Sequence, residues 1–168
     1  MDFDLSQITP GKLRNAARGT FFVALEERSA YLAGAIGNVE GLVMIAGDEP
    51  FRAAGRQMWG EQGGIGIGGL RFKVDVTSGK RRFSEQQMER GELFHNPLGF
   101  GLCVFDGRQH YLFDLEGGPD PKGQPQTEIG YSRWRIVAGS EEHERELFRC
   151  EDGKGQLIGF DPTPPPQA

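Results

Sequence analysis

The residues best placed to do chemistry are Cys103 and His110, which flank the dipeptide Asp106-Gly107. Asp-Gly suits a two-residue type I′ hairpin turn. Such a turn sets residue 105 opposite 108, 103 opposite 110, 101 opposite 112 and 99 opposite 114. Directly opposed residues have Cβ atoms about 5 Å apart, so this register brings the thiol to the imidazole. A Cys–His pair can generate a nucleophilic thiolate. Asp114, however, is four residues along the strand from His110, about 13 Å away, and cannot orient the ring. No helix N-terminus or oxyanion-hole donor is visible beside Cys103. The pair therefore reads as a small buried cysteine beside a surface or hydrogen-bonded histidine. A cysteine-dependent enzyme using Cys103 and His110 is the alternative.

The same strand face carries Gly99 and Gly101, and Gly66 and Gly68 offer a similar surface upstream. A strand face lined by glycine leaves room for a ligand, for a helix of the same chain, or for a partner. Gly64-Ile-Gly66-Ile-Gly-Gly69 matches G-x-G-x-x-G. A dinucleotide site needs that motif to open a helix, and here the residues that follow alternate with period 2. A bulged, closely packed strand is the better reading. Trp59 and Trp134 could line a pocket or anchor an interface, with core packing as the default for both. Cys103, Cys150, His95, His110 and His143 are scattered, with no C-x-x-C or H-x-x-x-H spacing, so no metal and no cofactor is expected. Lys80-Arg81-Arg82 reads as a solvated hairpin end, and Pro162-x-x-Pro165 is a weak match to an SH3-type ligand.

These residues must be held by short strands. Glycine supplies 26 of 168 positions, roughly twice ordinary usage, without a Gly-X-Y repeat. Runs at Thr20–Leu25, Ala30–Ile36 and Leu42–Ala46 are joined by hairpin-length links, which makes a β-meander the simplest reading. Alanine in the second run keeps a helix in competition there. Leu70, Phe72, Val74 and Val76 alternate with polar residues, and a bulge at Gly68-Gly69 would bring Ile65 and Ile67 onto their face. Leu98–Phe105 and Arg108–Leu115 form the Asp106-Gly107 hairpin, placing Leu98, Phe100, Leu102, Tyr111, Phe113 and Leu115 on one face. Ile129–Ala138 reads as one strand, and Leu147–Cys150 with Leu157–Phe160 as a last hairpin. Short helices are expected after Thr9-Pro10, after Asp48-Glu49-Pro50, at the Ser84-x-x-Gln87 capping box and after Ser140.

The expected fold is mainly β: an antiparallel β-sandwich or small β-barrel built from hairpins, with two or three short helices. Residues 1–161 form one β-rich domain and 162–168 a proline-rich mobile tail. The net charge of −5 argues against a nucleic-acid partner, which calls for a basic face. The longest apolar stretch, Gly41 to Gly47, is too short to span a bilayer, so no membrane association is expected. The first residues carry acids and no apolar h-region, so a cytoplasmic location with two free thiols is expected. The leading functional reading is a non-catalytic binding domain. It would take a small apolar ligand inside the barrel or sandwich, or a protein partner on a sheet face, a second copy of the chain included. Gly99, Gly101, Cys103, His110, Trp59 and Trp134 are its candidate contacts.

Overall fold

All three apolar runs after Gly19 are strands, and the alanine-rich one is buried from Ala30 to Ala35. The computed structural model describes residues 8–36, 39–59, 61–83, 87–96, 99–115 and 128–159. The first part of the chain supplies β1 (Ile8–Lys12), β2 (Phe21–Ala24), β3 (Ser29–Ile36), β4 (Val39–Ala46), β5 (Arg52–Gly55) and β6 (Gly63–Ile67). Then come β7 (Arg71–Val74), β8 (Gly79–Arg82), β9 (Leu93–Asn96), β10 (Gly99–Phe105) and β11 (His110–Asp114). The last strands are β12 (Glu128–Tyr131), β13 (Arg133–Ala138), β14 (Arg145–Glu151) and β15 (Lys154–Leu157).

Strands β3, β4, β5, β10 and β11 close into a five-stranded barrel. Two thin seams complete the ring. Asp114 pairs with Ala35 across β11 and β3, and Phe105 pairs with Arg52 in a parallel contact of β10 with β5. Strands β2, β6 and β1 extend the sheet beyond β3, and β9, β12 and β8 extend it beyond β10. A second sheet runs β15-β14-β13-β7. Strand β3 uses Ala and Gly because both of its faces are covered. Ala30 and Leu32 join the barrel core, while Tyr31 and Ala33 pack outward beneath Leu13 and Trp59.

The interior is filled from β11. Phe113 is fully buried and projects at the opposed pair Gly34 and Gly41 of β3 and β4. A Cβ on Gly34 would lie 2.5 Å from Cε1 of Phe113 and would overlap the carbonyl oxygen of Asp114. Glycine at 34 is thus what lets β11 approach β3. The second sheet shares this core through Phe72, Trp134, Ile136 and Phe148. Trp134 Nε1 donates to the Gly91 carbonyl at 2.8 Å. Phe51, at the turn into β5, holds φ 65, an uncommon state for a bulky residue. Its ring is completely buried against Trp134 and Phe148, and that burial offsets the strain.

Several expectations change. The two or three short helices are absent among the described residues, which hold single 3-10 turns at Leu13–Asn15, Val76–Ser78 and Glu141–His143. Thr9-Pro10 lies in β1 at the edge of the sheet, where proline is tolerated. Asp48-Glu49-Pro50 leads into a turn and then β5. Gly68-Gly69 is a crossing between sheets rather than a bulge, with Gly69 at φ 67. Val76 is 74% exposed, because the Asp75 side chain accepts from Thr77 N and turns the chain out of the strand. Ile129–Ala138 splits at Ser132 into β12 of one sheet and β13 of the other. Residues 84–86, the 117–126 loop and the proline tail lie outside the described residues.

The close approach at Gly34 gives a direct test. Gly34→Ala should lower stability by about 2–3 kcal/mol in urea unfolding, because the carbonyl of Asp114 cannot rotate aside. Gly55→Ala, whose added methyl meets nothing within 4 Å, should cost far less.

Candidate functional site

The Asp106-Gly107 hairpin forms, but in a register shifted by two residues. Phe105 pairs with His110, Cys103 with Leu112 and Gly101 with Asp114. The cause is the side chain of Asp106, whose Oδ1 accepts from the backbone N–H groups of Arg108 and Gln109. Those two bonds hold the Asp106 carboxyl below its ordinary range and favour a four-residue loop over a two-residue turn. The two-residue form occurs instead at Asp152-Gly153, where both residues have positive φ and Glu151 faces Lys154.

The shift separates the expected pair. Cys103 is fully buried and packs with Met88, Phe94 and Leu112. His110 is exposed, its ring 5.7 Å from that of Phe105. Gly101 is not open, because its missing side chain makes room for Leu112, with Cγ 2.7 Å from where a Cβ would stand. Gly99 pairs with Asn96 on β9. Trp134 is a core residue. Trp59 is half-buried, 5.4 Å from Tyr31, whose hydroxyl donates to Gln62 Oε1 at 3.0 Å and whose burial raises its pKa. Arg82, from the basic run, reaches inward to the buried carboxylate of Glu92 at 3.0 Å. Among the described residues no His, Cys, Asp or Glu cluster is placed to hold a metal, and no helix is long and apolar enough to cross a membrane.

The glycine-lined space lies elsewhere, on the outer side of β1, β6 and β2. A pocket of about 290 Å³ opens between these strands and the segment Leu13–Ala17. Phe22 and Ala16 are among its lining, with Thr9, Thr20 and Asn15 supplying polar groups and Gly11, Gly66 and Gly68 lining the strand side. A Cβ on Gly11 or Gly68 would meet nothing within 4 Å, so the space those side chains would occupy is open. The opposite wall is fixed in place. Arg56 Nη1 donates to the carbonyls of Arg14 at 3.0 Å and Ala16 at 2.6 Å. Leu13 N donates to Gln62 O at 2.9 Å. Glu61 bridges Lys12 and Arg14 at 2.8 and 2.7 Å. The hydrogen bond from Lys12, then the charge of Arg14, hold the Glu61 carboxyl below its usual range.

Sequence reasoning names Gly66 and Gly68 but misses the far wall, because Thr9-Pro10 there reads as a helix start. The other available signal is that Pro10 also suits an edge strand. Searches of protein-family models, of curated proteins and of solved structures found nothing similar to this chain.

The other cysteine, Cys150, is fully buried. Burial pushes Cys150 up to about 12, so the fold favours its protonated form. The stability this contributes is intact below the unfolded thiol value of ~8.5 and is lost as the pH rises toward 12. Under reducing conditions, wild-type stability should therefore fall more steeply than that of Cys150→Ala between about pH 9 and 11, by up to about 1.4 kcal/mol per pH unit. Parallel curves from urea unfolding would contradict the assignment.

Proposed function

We propose that this chain is a binding domain that takes a small, mainly apolar ligand in the pocket between β1–β6–β2 and the Leu13–Ala17 segment. One observation carries the reading: a braced pocket of about 290 Å³ exists because Gly11 and Gly68 bear no side chains there. That volume sits at the lower end of small-molecule sites, which are concave, mostly apolar and largely pre-formed. Pro10 and Ala17 offer exposed apolar surface along the lining, and the hydroxyls of Thr9 and Thr20 with the Asn15 amide would orient a ligand through one or two hydrogen bonds. The ligand class is a small ring or short aliphatic molecule with a single polar end.

Two features favour this pocket over the other places a ligand or partner could sit. Phe113, Leu32 and Val43 fill the barrel core, so the available room is outside it. A protein partner adding a strand at β8 would meet exposed Lys80 and Arg81, and lysine or arginine on an edge discourages such pairing. The Cys103 and His110 alternative gains no support from a register that sets neither opposite the other.

The discriminating variant is Gly68→Leu. Position 68 is free of left-handed backbone and of steric contact, so the new side chain fills the pocket without straining the fold. N-phenyl-1-naphthylamine should bind the wild-type protein with enhanced fluorescence and bind Gly68→Leu about tenfold or more weakly, a loss of about 1.4 kcal/mol. The melting temperature should be retained. Equal probe binding by the two proteins would overturn the pocket as the site.

A further inference from the structure

The outward face of the second sheet places three cations side by side. Lys73 pairs with Arg135 across β7 and β13, and Arg135 pairs with Arg149 across β13 and β14. Like charges directly opposed on neighbouring strands are destabilising, and this chain is acidic overall, at −5. The local carboxylates do not cancel the row. Glu144 is shared by Lys73 at 2.9 Å and Arg71 at 3.0 Å. Glu146 is held in a two-pronged contact by Arg149 at 2.8 and 2.9 Å. Arg135, in the middle, reaches Glu146 only at 3.9 Å. Four cations thus stand against two carboxylates, leaving two positive charges in excess.

The row lines a shallow groove of about 390 Å³, with Asp75, Arg133 and Glu151 along one side. On that side Arg133 pairs with Asp75 at 3.0 Å, and Glu151 stands opposite Arg133 and Lys154 in the strand register. On the other side stand Glu144 and Glu146. The positive strip therefore runs across the strands, spans three of them, about 10 Å at ordinary strand spacing, and is bounded by carboxylates on both sides. We infer that this groove is a site for a compact, multiply charged phosphate chain, a di- or triphosphate group held by Lys73, Arg135 and Arg149. Arginine's planar fork suits phosphate oxygens, and Arg135 is the cation with its fork least engaged. A long polyanion fits less well, because its path out of the groove crosses the flanking carboxylates.

Inorganic tripolyphosphate titrated calorimetrically into the full chain at low salt tests this. The wild type should bind it, and Arg135→Gln should bind about tenfold more weakly. Arg149→Gln should also weaken binding, and Glu146→Gln, which removes the competing carboxylate, should tighten it several-fold. Lys80→Gln, on β8 of the other sheet, should match the wild type. The melting temperature of Arg135→Gln should equal or exceed that of the wild type, since a like-charge neighbour is removed. No binding by the wild type, or equal binding by wild type and Arg135→Gln, would overturn the inference. So would tighter binding of an oligo(dT) strand that Arg135→Gln abolishes, because that outcome assigns the face to a polymer.

Discussion

The contact between Phe113 and the paired glycines 34 and 41 is the constraint on which the barrel depends. A ring closed by five strands needs its last strand to meet its first, and among the described residues β11 forms one ladder pair with β3, Asp114 with Ala35. So thin a seam holds only if the two backbones come close and the interior behind them is full. Glycine at 34 permits the first, and the buried ring of Phe113 supplies the second. Filling the interior also moves any room for a ligand to the outside of the strands.

The second sheet is tied to the same core at points where backbone meets backbone. Gly155 of β15 lies against the carbonyl of Ile45, where a Cβ would overlap it. Trp134 bonds to Gly91 O through its indole N–H, and the Cys150 thiol lies 3.6 Å from the same oxygen. These contacts orient β13 and β14 so that Trp134, Phe148 and Cys150 face inward and Arg135, Arg149 and Glu151 face outward. One alternation of residues thereby completes the core and builds the basic groove. The pocket beside β1 is made differently, by glycines that withhold side chains and by Arg56, which fixes the facing segment through two carbonyls.

Much of this was legible in the sequence, and the failures have specific causes. Apolar runs mark β2, β3 and β4, and period-2 alternation marks β7 and the strands about Asp106-Gly107; the shared face of Leu102, Tyr111 and Phe113 survives the register shift, because a shift of two preserves side-chain parity. The register itself was not legible. Asp106-Gly107 and Asp152-Gly153 are the same dipeptide, yet only the second adopts the two-residue turn. The Asp106 carboxylate accepts two backbone N–H groups instead, an option that dipeptide identity does not reveal. Thr9-Pro10 carries equal local signals for a helix start and for an edge strand, and pairing with β6 decides between them. Ser132 and the Gly68-Gly69 pair pass the chain from one sheet to the other, which no local pattern announces. The pocket joins residues 9–17 to residues 66–69, so only its glycine side could be named in advance. The basic row spans three strands, and its members stand apart in sequence at 73, 135 and 149.

Closure of the barrel rests on the seat of the Phe113 ring, and proton NMR reads that most directly. With the ring between the two strands, the Hα protons of Gly34 should show strong nuclear Overhauser effects to the aromatic protons of Phe113, with weaker ones from Gly41. The Gly34 signals should also be displaced by the ring current. Gly34 and Gly41 signals at ordinary positions, with no cross-peaks to Phe113, would mean that the seam is open and the barrel is not filled in this way.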